Sequence, residues 1–273
     1  LRTKPVSIAE LWIYPIKSCK GIKVDQAKVT SRGFELDRMF MVVDSNGKFV
    51  SQRTFPSMAL ITVQIDNKSG IGKVLVVNAP GMEALLVPIA YPTGKLETID
   101  VTVWGDECQG VEALGSEGNQ WFSTFLKTSG VRFVRMKDTC VRKTDEKYAP
   151  DGQTSFADGF AFLLASVESL EFVNSRLAEP LTQERFRPNI IVRGGGAFEE
   201  DRWERIRFHD VNSNNSSSNT GSSTMEMSVV KPCARCTIPN VDPATGVPHP
   251  QREPSRSMQA FRSGAAIHFK NPK

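Results

Sequence analysis

Two thiols, Cys233 and Cys236, stand in the run Lys231-Pro232-Cys233-Ala234-Arg235-Cys236-Thr237-Ile238-Pro239. A thiolate is a soft anionic ligand and a nucleophile, so a Cys-x-x-Cys can hold metal, exchange disulfides or lie inert in a core. A structural zinc site takes four ligands, and neither a second Cys-x-x-Cys nor a matched His pair accompanies this one; nearby His249 and His268 lack that spacing. A thioredoxin-like dithiol opens a helix, which Pro239 and Pro243 oppose. Two readings remain from the residues alone. The thiols are half-buried members of a β-rich core, or one is the thiolate ligand of a soft metal, with Arg235 stabilising the anion and able to hold an anionic cofactor tail.

Other polar residues fall into short motifs with chemistry of their own. Lys17 and Ser18, in Tyr14-Pro15-Ile16-Lys17-Ser18-Cys19-Lys20-Gly21, make a phosphate perch or an exposed turn. Arg38 follows Leu36-Asp37 and reads as an anion ligand or a surface ion pair. Arg187 and Asn189, in Phe186-Arg187-Pro188-Asn189, set a guanidinium fork beside an amide, and Asp158 precedes Gly159 at an apolar segment. Each has a plain structural reading alone; together with the Cys-x-x-Cys they are harder to dismiss.

The elements that must position them are mainly β in the first half. Met39–Val43, the turn Asp44-Ser45-Asn46-Gly47 and Lys48–Val50 predict a hairpin, because Asn-Gly supplies the positive φ that a tight turn needs. Further strands are predicted at Leu60–Ile65, Val74–Val77, Leu85–Ile89, Ile99–Val103 and Val131–Arg135. Trp121, Phe122, Phe125 and Leu126 recur at helical spacing, with Ser116 as cap and Gly130 as stop. The polar stretch Asp138–Ser155 reads as a connection between two domains. Beyond it come a strand at Ala161–Ala165, a helix capped by Ser166 with Leu170, Val173 and Leu177 on one face, and a strand at Ile190–Arg193. A short helix at Glu199–Arg205 and strands at Arg207–Val211 and Met225–Val230 follow, flanking a Ser/Asn-rich flexible insert at 212–224.

Composition narrows the function classes. The chain has 273 residues, 40% hydrophobic and 23% charged, with a net charge of +4. That surplus falls short of a nucleic-acid binder's. The longest apolar stretch, Ala84–Tyr91, contains Pro88 and is far shorter than the roughly 20 residues of a membrane span. Five scattered cysteines do not form a secreted disulfide framework. Position 1 is not Met and residues 1–20 lack signal-peptide order, so the expectation is an intracellular protein, mitochondrial outer membrane or cytosol, whose targeting region has been removed or left out.

From Leu11 to about His268 the chain resembles the MOSC superfamily, molybdenum-cofactor domains with a β-barrel N-terminal partner. The motifs that carry the resemblance are residues 14–21, Asp37-Arg38, Ser51-Gln52-Arg53, Phe156-Ala157-Asp158-Gly159, Phe186-Arg187-Pro188-Asn189 and Pro232-Cys233-Ala234-Arg235-Cys236. Thr237 through Gly246, with Val-Asp-Pro-Ala-Thr-Gly, resembles the branch of amidoxime-reducing components, which reduce N-hydroxylated compounds. Ala197-Phe198-Glu199-Glu200 and Trp203 are similar to the C-terminal domain of molybdenum-cofactor sulfurase. The alternative is therefore a module that binds the cofactor without reducing substrate, although a full sulfurase also carries a pyridoxal-phosphate domain. The resemblance implies an α+β, predominantly β fold: an N-terminal β-barrel-like domain at 1–137, then a MOSC β-barrel with flanking helices at 138–273 that stops before the family's closing strands. It further implies Cys236 as the molybdenum ligand and Cys233 as a neighbour that is not a ligand. Lys17, Ser18, Arg38, Arg187, Asn189 and Arg235 would hold the pterin and its phosphate. Asp158 would stand close to the metal, handling a proton or orienting substrate, and Gly159 would contribute backbone alone. Electrons would come from NADH through cytochrome b5 reductase and cytochrome b5.

Overall fold

Short apolar runs separated by Gly and Pro do become strands. The computed structural model describes residues 6–91, 97–209, 224–234 and 236–267. In chain order the elements are β1 (Ser7–Ile13), β2 (Ile22–Val24), β3 (Val29–Thr30), β4 (Gly33–Phe34), β5 (Phe40–Val43), β6 (Thr62–Lys68), β7 (Gly72–Asn78), β8 (Leu85–Pro88), β9 (Thr98–Val103) and β10 (Asp106–Glu112). Then come α1 (Gly115–Leu126), β11 (Arg132–Met136), β12 (Leu164–Ser166), α2 (Val167–Asn174), β13 (Ile190–Arg193), β14 (Arg205–Phe208), β15 (Met225–Ser228) and α3 (Ser255–Arg262). The fold is α+β and predominantly β, as expected. Its larger sheets run β5-β11-β10-β9, β6-β7-β8 and β12-β13-β1-β2; among the described residues none closes on itself.

β5 shows why its sequence is apolar without alternation. Phe40 and Val42 face one core cluster and Met41 and Val43 another, so both faces are buried. In the first cluster Phe133 of β11 stacks between Phe40 and Phe122 of α1, at centroid distances of 5.6 and 4.7 Å. Each ring buried in this way is worth about 1.5–3 kcal/mol. Two irregular segments are nailed to these clusters. Ile16 and Cys19, both fully buried, pin residues 14–21 to the first, and Phe156 pins its loop to the second.

β1 joins the two halves of the chain. One edge pairs with β2 and the other runs antiparallel to β13, with Ser7 opposite Arg193 and Leu11 opposite Ile190. β12 lies parallel to β13 on its far side.

Several boundaries differ from the sequence reading. α1 starts at Gly115 after Leu114, so Ser116 lies inside the first turn and is not the cap. Its end is a left-handed Lys127 (φ 52°), ahead of Gly130. The strand expected at Ala161–Ala165 begins only at Leu164, because residues 161–163 run irregularly before pairing with β13 starts. Ser166 does cap α2, accepting from the Ser169 N–H at 3.1 Å, but the helix stops at Asn174 and leaves Leu177 beyond it. A 3-10 turn, Glu199–Arg202, replaces the short helix because Arg205 already belongs to β14. β10 was not foreseen, since Asp106–Glu112 mixes charges with its apolar positions. β14 and β15 pair as an antiparallel hairpin. The insert expected at 212–224 lies outside the described residues except for Thr224.

Candidate functional site

Tyr14 is the hub. It is 1% exposed, and Gly21 packs so tightly on its ring that a Cβ there would sit 2.5 Å from it, so no side chain fits at residue 21. The guanidinium carbons of Arg38 and Arg187 lie 4.3 and 4.4 Å from the ring centroid, a cation–π pair on one phenol. The Tyr14 hydroxyl is buried without a hydrogen-bond partner among the described residues.

Arg38 is locked in place. Its Nη1 donates to both Asp37 oxygens (2.7 and 2.6 Å) and to Asn189 Oδ1 (3.0 Å), and Nη2 donates to the Arg187 carbonyl (3.1 Å). Asp37 also accepts from the Tyr14 N–H at 2.8 Å. The Asn189 amide in turn donates to the Trp12 carbonyl at 3.1 Å, which fixes its flip state by the β1–β13 junction. Arg187 donates to the Cys19 carbonyl at 2.7 Å. Burial lowers the Arg187 pKa, and the nearby Arg38 charge adds to that. The surface ion pair considered for Arg38 is thus a buried one, with Asp37 2% exposed.

Lys17 and Ser18 are likewise buried, 5% and 4% exposed, so the exposed-turn reading fails. Lys17 Nζ donates to the Phe156 carbonyl at 2.7 Å and to Asp158 Oδ1 at 2.5 Å. Burial lowers its pKa to about 8 despite the opposing pull of Asp158. The Asp158 side chain is 59% exposed and forms the solvent end of this buried ladder. Its partial desolvation works to raise its pKa, but Lys17, the Trp104 indole and the Arg53 charge outweigh that and hold the carboxyl well below the usual range.

A residue that the sequence reading passed over holds the Asp158 loop. Arg142, 2% exposed, donates to the carbonyls of Ser155 (3.0 Å), Ala157 and Asp158 (3.0 Å), and to Asp106 Oδ2 (3.0 and 2.7 Å). With Lys17 on Phe156, the four carbonyls from Ser155 to Asp158 all accept from a cation. In the sequence Arg142 is just half of a basic pair with Lys143, and no local signal announces partners on β10 and in this loop.

Backbone strain gathers at the same place. Ser18 (φ 68°), Arg38 (φ 49°) and Arg187 (φ 58°) all adopt the left-handed conformation that non-glycine residues avoid, as functional sites often require.

The thiols lie apart from this ladder. Cys233 is exposed, Cys236 half-buried, and the following residues form a 3-10 turn, Ile238–Asn240, in place of a helix. Arg185 ties that turn down by donating to the Pro239 carbonyl (3.3 Å) and Asp242 Oδ2 (3.2 Å). Between the turn and the hub lies a small open cleft lined by Tyr14, Lys20, Gln52, Arg185, Arg187 and Ile238. Arg235 lies outside the described residues. At Gly159 a Cβ would meet nothing within 4 Å.

The structure therefore brings Lys17, Ser18, Arg38, Asp158, Arg187 and Asn189 together, and sets Cys236 on the chain that enters the turn across the cleft. A surplus of cations over carboxylates, an unpartnered Tyr14 hydroxyl and an unpartnered Arg53 Nη1 suit an anionic, oxygen-rich ligand, and a half-buried thiol suits a soft metal. The donor set fits a pterin phosphate with its metal. Comparison with known proteins agrees with the geometry: the MOSC N-terminal beta barrel domain matches residues 6–129 and the MOSC domain matches residues 151–270. The chain is a MOSC protein. It is 33% identical to mitochondrial amidoxime reducing component 2 of Rattus norvegicus over 94% of this chain and 72% of that one. Mitochondrial amidoxime-reducing component 1 of Mus musculus is 32% identical, with 97% and 75% covered, and that of Homo sapiens 32%, with 94% and 72%. No helix among the described residues of this MOSC protein is long and apolar enough to cross a membrane.

Proposed function

We propose that this chain is a molybdenum-cofactor-dependent reductase of N-hydroxylated compounds, amidoximes and hydroxylamines, with Cys236 as the protein ligand of the metal. The observation that carries it is the preformed, strained cradle of Arg38 and Arg187 on Tyr14, with Ser18 strained beside Lys17, across a cleft from the chain that bears Cys236. Relatives named for amidoxime reduction support it. Lys17, Ser18, Arg38, Arg187, Asn189 and Arg235 would hold the pterin and its phosphate. When bound, the molybdenum cofactor would supply two-electron reduction at the site. The overall reaction converts N–OH to N–H, consuming two electrons and two protons and releasing water. Electrons arrive one at a time from cytochrome b5, fed by an NADH-dependent flavin reductase. We place the two domains of the chain at 1–137 and 138–273, and its site of action at the mitochondrial surface or in the cytosol.

This chain's residues handle protons and position. Asp158 stays ionised at neutral pH, so it is not the acid; it accepts from the substrate's N–H groups and orients them. Lys17, with its pKa near 8, is protonated at neutral pH and close enough to the working range to give up a proton at Nζ. Arg142 holds the loop that brings the two together.

The test is protein made in a molybdopterin-producing host, assayed for molybdenum by plasma mass spectrometry, for pterin by fluorescence, and for benzamidoxime reduction with a reduced viologen dye. Near-stoichiometric metal and turnover, both lost in Cys236→Ser, are expected. Cofactor bound without turnover would instead establish the sulfurase-like binding module, and metal retained in Cys236→Ser would remove the ligand assignment.

A further inference from the structure

Trp104 stands where turn chemistry alone would not put it. β9 and β10 pair from Val103 opposite Asp106, so Trp104 and Gly105 are the two residues of the hairpin turn. Both have positive φ, 58° and 95°. A turn of this kind favours Asn-Gly or Asp-Gly, and a bulky aromatic in the left-handed region is strained. Trp104 is also 53% exposed. The residues that share its backbone conformation include Ser18, Arg38 and Arg187 of the cradle, and its indole is among the groups that hold the Asp158 pKa down. The Arg53 guanidinium covers the ring, with its carbon 4.3 Å from the centroid, and Phe49 packs at 5.3 Å with a tilt of 55°. Phe49 in turn lies under the Lys17 ammonium at 5.0 Å. The aromatic pair thus forms a wall running from Lys17 to solvent beside Asp158.

We infer that Trp104 is the specificity-determining residue of this site, stacking the planar conjugated group of an uncharged N-hydroxylated substrate while Asp158 takes its N–H. The assignment rests on the reductase reading for its substrate class. Charge decides between planar ligands. A guanidinium already lies on the indole and draws on its π density, which disfavours a second cation there and suits a neutral aryl or conjugated amidoxime. Arg53 also has its Nη1 buried without a partner among the described residues, a donor for an oxygen of the incoming group.

The experiment uses the cofactor-loaded chain and two neutral probes, benzamidoxime and acetamidoxime, with a reduced viologen as donor so that protein docking does not enter. Trp104→Asn suits the turn and keeps the fold; Trp104→Phe keeps an aromatic face but loses the N–H. The expected result for Trp104→Asn is a fall of about tenfold in the ratio of kcat/KM for benzamidoxime to that for acetamidoxime, carried by KM, with Trp104→Phe within about threefold of the parent ratio. An equal loss on both probes in Trp104→Asn would overturn the inference and leave Trp104 a structural residue. Calorimetric titration of benzamidoxime onto the same proteins supplies a readout that does not need turnover. If the parent reduces neither probe, the reductase reading fails; weaker binding of benzamidoxime to Trp104→Asn then sustains the aromatic wall, and unchanged binding removes it.

Discussion

The segment carrying Lys17 and the segment carrying Cys236 are held by different means. Lys17 sits between the core residues Ile16 and Cys19, donates to Phe156 and Asp158, and belongs to a group whose members reach across both halves of the chain. Cys236 follows an exposed Cys233 and precedes an exposed Thr237, and its fixed points lie on either side: upstream the Lys231 ammonium covers the Tyr148 and Phe160 rings at 4.5 and 5.1 Å, and downstream Arg185 grips Pro239 and Asp242. The cradle carries desolvated charge and left-handed backbone, compensated by core packing and paired carboxylates. The described residues of the thiol segment carry neither. Substitutions in the cradle should therefore damage folding as well as binding, whereas those at the thiols should damage binding alone.

The sharpest break is Cys236→Ser. Removing the soft ligand is expected to reduce turnover by at least about a thousandfold while stability changes by less than about 0.5 kcal/mol, because the half-buried thiol belongs to no core cluster. Activity and chemical denaturation measured on one preparation would check both halves of the statement. Asp37→Asn should do the reverse. It leaves Arg38 as a buried charge without its counter-ion, at a cost of about 3–5 kcal/mol in unfolding free energy. A loss below about 1 kcal/mol would mean that the pair is far more hydrated than its geometry indicates.

pH separates the regions again. The folded chain holds the Lys17 proton less tightly than the unfolded one does, so burying the ammonium is a cost below about 8 that is relieved as pH rises towards 10.5. The Asp158 pKa is lowered as well, in a different pH window; its contribution to stability is full above the ordinary value of 3.8 and is lost as pH falls through its lower folded value. Above about pH 8, kcat/KM should thus fall roughly tenfold per unit while this pair causes no parallel loss of stability. A flat profile to pH 10 would remove Lys17 as the proton source. The smallest effect is expected for Arg185→Ala. It frees the turn after Cys236 at a cost of about 1 kcal/mol, seen as a few-fold faster loss of molybdenum on dilution.

The sequence made some of this legible and hid the rest for physical reasons. The ends of β13 and the cap of α2 were readable because Pro188 and Ser166 act locally. The polar members of the site could be collected as motifs, because each sits in a short run of unusual residues. Their pairing could not, since Lys17 finds Asp158 and Arg38 finds Asn189 only through contacts remote in sequence. Arg142 has a surface residue's neighbours and a core residue's exposure; five donors on one flat group let it serve several distant oxygens at once. Trp104 left a faint signal, an aromatic followed by glycine between two strands, which hydrophobic patterning reads as one more core residue.

Synthesis from the N-terminus gives the β1–β13 pairing a temporal consequence. A ribosome releases β1 long before Ile190–Arg193 exists, and until then one edge of the strand lacks its partner. Tyr14 and Lys17 follow directly on β1, and Asn189 directly precedes β13. The growing chain thus has no means of assembling the cradle piecemeal, and no competent anion site is displayed to the cell before synthesis has passed Arg193.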